Sequence, residues 1–115
     1  MAHVTFSIHS REQEGRRVLH LSGDLDLAAR ERLLDEGESH LGQAPLLLDL
    51  SEARFIDASV IGALFHLTRL LKDRGGRFAV VDAHADGRPI WRLTGYPEVC
   101  PVYVSIQEAT AALAE

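Results

Sequence analysis

Two short apolar segments flanking one long amphipathic segment, all between Leu46 and Val81, constrain this chain more than any other feature of its sequence. Leu46–Leu50, introduced by Pro45, is a nearly continuous apolar run, the pattern of a central strand covered on both faces. From Ser59 to Arg74 the residues Val60, Ile61, Leu64, Leu67 and Leu71 recur at helical spacing, while Arg69, Lys72 and Arg74 lie outward or near the negative end of the helix dipole. Gly75-Gly76 supplies a stop, and Phe78–Val81 is apolar again. The connection between the two apolar runs has the length of a right-handed βαβ crossover, so two parallel strands are implied. Ser51–Ala58 lacks a helical period and ends in a short polar sequence just before the helix.

The flanking segments extend this unit. Val4, Phe6 and Ile8 alternate with Thr5 and Ser7, the signature of a half-buried strand over Val4–Ile8, and Val18–Leu21 reads as its partner. The polar stretch Ser10–Arg17, with Gly15 near its end, suits a connection between antiparallel neighbours. Asp26 is set to cap a helix over Leu27–Leu41, on which Leu27, Leu34 and Leu41 share a stripe. Gly37 weakens that helix by about 1 kcal/mol relative to alanine. Asp86–Leu93 reads as a short helix with Pro89 in its first turn and Gly95 past its end, and Val102–Val104 as a brief strand. Ser105 heads a last helix, with Glu108 at the spacing of a capping box. The order β-β-α-β-α-β-α-β-α predicts one α/β domain over residues 1–115. It is a mixed, mostly parallel sheet with an N-terminal antiparallel hairpin and about four helices packed on it.

Composition narrows the function classes. A chain of 115 residues supports one core. Its net charge of -5 opposes binding to nucleic acid or to an anionic membrane surface, both of which reward basic patches. The apolar runs are too short to span a bilayer, and Met1 is followed by a polar, strand-like stretch rather than an export signal, so a cytoplasmic protein is expected. Cys100 is the only cysteine, which excludes an intrachain disulfide and reads as a buried thiol in a reducing compartment. The histidines at 3, 9, 20, 40, 66 and 84 are scattered without metal-ligand spacing. Asp24, Asp26 and Asp57 read as turn carboxylates ahead of a cation site. Gly75-Gly76 lacks a Walker or dinucleotide pattern around it. Trp91 and Tyr96 read as core packing ahead of an interface. Neither an enzyme, a metal nor a cofactor is expected.

The chemistry concentrates at Phe55-Ile56-Asp57-Ala58-Ser59, which joins a buried strand to the N-terminus of the best helix. A serine there suits two roles. Its hydroxyl can cap open backbone amides, or it can carry a phosphate, because a dianion is favoured by the positive end of the helix dipole and by free N–H groups. Adding roughly 1.5 to 2 negative charges beside Asp57 would invert the local surface chemistry and break docking to an apolar or acidic partner surface.

The stretches Leu21-Ser22-Gly23-Asp24-Leu25-Asp26, Leu48-Asp49-Leu50-Ser51, Phe55-Ile56-Asp57-Ala58-Ser59-Val60-Ile61-Gly62, Gly75-Gly76-Arg77-Phe78 and Leu93-Thr94-Gly95 occur in an order and spacing that resemble the STAS family. Within it they look like the anti-sigma factor antagonists, over nearly the whole chain. That family typically carries Asp-Ser-Ser-Gly after its third strand, and its second serine corresponds to Ser59. The resemblance implies a protein that binds an anti-sigma factor with serine kinase activity while unphosphorylated. Phosphorylation at Ser59 would release it, and a serine phosphatase would restore it. Asp57 matches the motif aspartate, and Asp26 matches the end of the family's Gly-Glu-Leu-Asp stretch, either as partner contact or as helix cap. By the same resemblance Asp26, Asp57, Ala58, Ser59, Val60 and Gly62 form the expected partner-binding set. Two positions depart from the motif. Ala58 replaces the first serine, and Val60 replaces the glycine, which restricts the backbone and adds bulk where a kinase would approach. A non-phosphorylated adaptor in a stressosome or a lipid-transport complex fits the same residues.

Overall fold

The strand that begins at Leu46 is the middle of a five-stranded sheet. The computed structural model describes residues 5–40 and 45–114. Its strands are β1 (Phe6–Gln13), β2 (Arg16–Leu25), β3 (Leu46–Ile56), β4 (Phe78–Val81) and β5 (Val102–Tyr103), and they lie side by side in chain order. Its helices are α1 (Leu27–His40), α2 (Ala58–Arg74), α3 (Pro89–Thr94), α4 (Tyr96–Val99) and α5 (Ile106–Leu113). β1 and β2 are antiparallel and every other pair is parallel, as the hairpin and crossover patterns predict.

Each connection from β2 to β5 steps to the next strand in the same direction, so right-handed crossovers carry α1, α2 and the α3–α4 segment to one face. The main core lies there: Leu19, Leu21, Leu46, Leu48, Leu50 and Val80 from the sheet meet Leu33, Ile61, Leu64, Leu67, Trp91 and Tyr96 from the helices. The alternate strand residues Val18, Leu47, Ala79 and Val81 meet Ala109 of α5 on the opposite face. Coverage on both faces explains why β3 and β4 read as apolar runs rather than alternating ones.

Several boundaries differ from the sequence expectation, each for a tertiary reason. The hairpin strands continue through the polar stretch expected to be a loop and close on Glu14-Gly15, whose φ angles of 51° and 78° fit a tight hairpin turn. The outer half of β1 is exposed, so no apolar period marks it. Val4, expected at the start of this strand, lies outside the described residues. The inward face of α1 is Ala29, Leu33 and Gly37, with Leu34 partly buried, whereas Leu27 is 63% exposed. The expected Leu27, Leu34, Leu41 stripe is therefore rotated, and Leu41 lies outside the described residues. Gly37 is a packing requirement: a Cβ there would sit 2.7 Å from Leu67 Cδ1 on the neighbouring helix.

The expected helix over Asp86–Leu93 is resolved into a 3₁₀ turn at Ala85–Gly87 and α3, after which left-handed Gly95 allows α4 to start in a new direction. The described residues thus hold five helices where about four are expected, two of them being the short α3 and α4. Trp91 and Tyr96 are core residues. The Tyr96 ring meets Phe65 edge-on at 5.0 Å, and its hydroxyl hydrogen-bonds Thr68 Oγ1 at 2.9 Å. Burial pushes the Tyr96 phenol and the Cys100 thiol to higher pKa than usual. Ser105 caps α5 by accepting from the Glu108 N–H at 3.1 Å.

β3 runs past its apolar stretch to Ile56 because β2 lengthens beside it, with irregular register between His20 and Ser22 and between Gly23 and Asp24. Gly23 makes this possible. Its φ is 86°, a Cβ would lie 2.1 Å from the Thr5 carbonyl oxygen, and the next N–H, of Asp24, donates to that oxygen at 2.8 Å. Gly23→Ala meets both a backbone collision and a left-handed φ, and is expected to destabilise the fold by about 2–3 kcal/mol in urea unfolding.

Candidate functional site

β2 and β3 end abreast, Leu25 paired with Ile56, and each passes directly into a helix. The Asp57 N–H donates to the Leu25 carbonyl at 2.9 Å, which ties the two strand-to-helix turns together. Asp26 and Asp57 are consequently neighbouring helix caps. Asp26 Oδ1 accepts from the N–H groups of Ala28 and Ala29 at 3.1 and 3.2 Å. Asp57 Oδ2 accepts from the Ser59 N–H at 2.9 Å, and the Asp57 carbonyl accepts from the Val60 N–H at 3.0 Å. Two helix N-termini, each with a positive dipole end, therefore open on one edge of the sheet, the carboxyl end of parallel strands where ligands of such sheets dock.

Asp57 rather than Ser59 caps α2, and Ser59 is the second residue of the helix. The Ser59 hydroxyl and then its backbone N–H hold the Asp57 carboxyl below the usual carboxylate range, against a smaller opposing effect of desolvation. The hydroxyl oxygen nonetheless completes no hydrogen bond of good geometry among the described residues and is screened from solvent. Ser59 is thus a charge-adjacent serine with a covered, unsatisfied oxygen.

The remaining expected residues separate by exposure. Ala58 and Gly62 are exposed on the first turns of α2. Val60 is fully buried within the main core. At the third helical position its side chain turns inward and anchors the turn, so the bulk expected at the surface is packed in the core. Sequence reasoning missed two apolar surface residues beside the caps, Leu27 at 63% and Phe55 at 51% exposure. Alternation along β3 carries the only signal for Phe55, and the irregular register hides it. Arg54 and Asp24 pair at 3.0 Å on the same rim. Asp24, Asp26 and Asp57 each already have a hydrogen-bonding partner, and among the described residues no three His, Cys, Asp or Glu side chains converge as metal ligands. No described helix is long and apolar enough to cross a membrane.

The STAS domain model matches residues 7–109, spanning nearly all of the hairpin, the paired caps and the first half of α5. The chain belongs to the STAS domain family. It is 23% identical over 103 residues to an anti-sigma F factor antagonist of Paenibacillus polymyxa, covering 87% of this chain and 88% of the relative. An anti-sigma factor antagonist from Mycobacterium paratuberculosis shares the fold with a TM-score of 0.83 at 24% identity, over 96% of this STAS chain and 95% of that one. SpoIIAA in its unphosphorylated form superposes with a TM-score of 0.74 at 18% identity, over 94% and 96% of the two chains. The Bacillus SpoIIAA has also been solved in a phosphorylated form, at a TM-score of 0.68, 18% identity and coverage of 92% and 98%.

The low Asp57 pKa fixes a pH dependence. A carboxyl whose pKa is depressed on folding contributes stability in full above its unfolded pKa and loses it as the pH falls through the folded value. Asp57→Ala is therefore expected to lower the melting temperature at pH 7, with the gap from wild type closing below about pH 4, as followed by circular dichroism.

Proposed function

We propose that this STAS domain is an anti-sigma factor antagonist that works by partner switching at the paired caps. Unphosphorylated, it binds an anti-sigma factor with serine kinase activity through Asp26, Asp57, Ala58, Ser59 and Gly62, with Leu27 and Phe55 as apolar contacts. Phosphorylation at Ser59 releases the partner, and a serine phosphatase resets the switch. The single observation that carries this reading is a serine on the first turn of α2 beside an ionised carboxylate and exposed apolar groups. A phosphate at Ser59 is favoured by the helix dipole, yet it brings about 1.5 to 2 negative charges onto a surface already bearing Asp57 and Asp26. The fold tolerates the modification while the docking surface does not. Relatives named as anti-sigma factor antagonists, one of them solved in a phosphorylated form, support the same reading. The domain is not itself an enzyme in this reading, since the phosphoryl transfer belongs to the partner, and it acts in the cytoplasm.

The covered Ser59 oxygen favours a second reading. Phosphoryl transfer needs that oxygen turned outward, by rotation about χ1 or by opening of the first helical turn, and Val60 anchors that turn in the core. A domain that never undergoes this motion is a constitutive STAS adaptor, in a stressosome or a lipid-transport complex.

Incubation with ATP and a co-encoded anti-sigma kinase, followed by intact mass measurement, separates the two. One added phosphate on wild type and none on Ser59→Ala is expected, and Ser59→Glu is expected to bind the anti-sigma factor at least about 10-fold more weakly than wild type. An unmodified wild type that still binds its partner would instead establish the adaptor.

A further inference from the structure

We propose that Arg88 is the positioning residue of the Asp57–Ser59 turn; this deepens the reading of that turn as the docking and modification site and rests on it. β4 pairs with β3 only from Leu46 to Asp49, while β3 continues to Ile56. From Leu50 onward, therefore, β3 has β2 on one side and no strand on the other. Main-chain polar groups without partners there are as costly as lost hydrogen bonds. Side chains take the place of the missing strand. Ser51 Oγ accepts from the Ala83 N–H at 2.8 Å, and Arg88 Nη2 donates to the Ala53 carbonyl at 2.6 Å.

Ala53 is a sensitive point to hold. It is buried and lies at the irregularity where Gly23 and Asp24 face Ala53 and Phe55. A displacement of Ala53 is passed along the strand to Phe55, to the Asp57 cap and to Ser59. Arg88, itself partly buried, is fixed by a partner in the interior. Its Nε donates to Asp82 Oδ2 at 2.7 Å, and the fully buried Asp82 also accepts from Trp91 Nε1 at 2.8 Å and from the His84 N–H at 2.9 Å. The Asp82 N–H is bonded to the Tyr103 carbonyl of β5 at 2.8 Å, so this anchor is built into the sheet on the far side of β4.

Only a guanidinium fits both tasks, because it presents Nε to Asp82 and Nη2 to Ala53 as a rigid fork. A lysine ammonium is one point charge and would stay with the carboxylate. The alternative role for Arg88 is simple neutralisation of buried Asp82, which Lys would perform nearly as well.

Residue-resolved amide hydrogen exchange on the full chain, without any partner, distinguishes the two roles. In Arg88→Lys the amides of Asp57 and Ser59 are expected to exchange about 10- to 100-fold faster than in wild type, the effect of losing one charged hydrogen bond on a local opening. Trp91→Phe removes a different donor to Asp82 and leaves the Ala53 contact intact. It is expected to speed exchange of the core amides of Leu48 and Val80 while leaving Asp57 and Ser59 within about threefold of wild type. Positioning by Arg88 is overturned if Arg88→Lys leaves Asp57 and Ser59 within that range, or if Trp91→Phe accelerates them as much. Should Arg88→Lys fail to fold, the double variant Asp82→Asn/Arg88→Met, which leaves no unpaired buried charge yet removes the donor to Ala53, is read by the same two amides. Because no kinase or partner enters the measurement, absence of Ser59 phosphorylation would sink the switch without touching this result, and the converse also holds.

Discussion

Everything at the candidate site depends on the parallel pairing of β2 with β3 being carried to their last residues. The bond from the Asp57 N–H to the Leu25 carbonyl is its final rung. It places two helix caps side by side, so that two positive dipole ends and two carboxylates share one edge of the sheet. Gly23 lets β2 take the irregular path this requires, and the close approach of α1 to α2 at Gly37 and Leu67 keeps the two helices together behind the caps. Loosening that pairing would separate Asp26 from Asp57 and disperse the surface they form.

The site combines a rigid base with one movable atom. Val60 is sealed in the core and Asp57 is held on both sides by main-chain bonds, whereas the Ser59 oxygen is covered but unbonded. An oxygen that completes no hydrogen bond of good geometry gives up only its interaction with the Asp57 carboxylate when it rotates away. A serine in this state can be reached by a group that displaces what covers it, while the turn that carries it keeps its shape. In the proposed switch, recognition and modification would draw on different parts of one short segment: the exposed Leu27, Phe55, Ala58 and Gly62 would offer surface, and Ser59 the atom to be modified.

Much of the scaffold was legible in local sequence. The Leu46–Leu50 run, the α2 period, the Gly75 stop with its φ of 67°, and the Phe78–Val81 strand all appear where periodicity set them. The elements that differ from the sequence expectation share one property, a pattern governed by a neighbour rather than by the element itself. The outer hairpin shows no apolar alternation because no layer covers it. The α1 stripe is rotated because Gly37, not a leucine, faces Leu67. The cap of α2 passed from Ser59 to Asp57 because the carboxylate reaches the amide that a serine cap would have left open.

The sequence by itself determined the βαβ centre, the strand-to-helix position of Ser59 and the resemblance to the STAS family, because each of these is written in periodicity or in residues close along the chain. Only the tertiary structure decided that Asp26 and Asp57 are adjacent caps, that Val60 faces the core, that the Ser59 oxygen is covered, and that Arg88 supports β3 where β4 ends. These facts depend on which strands lie side by side and how far each pairing runs. Pairing between residues distant in the chain is set by packing of the whole sheet and its helices, and no local pattern of residue types encodes it.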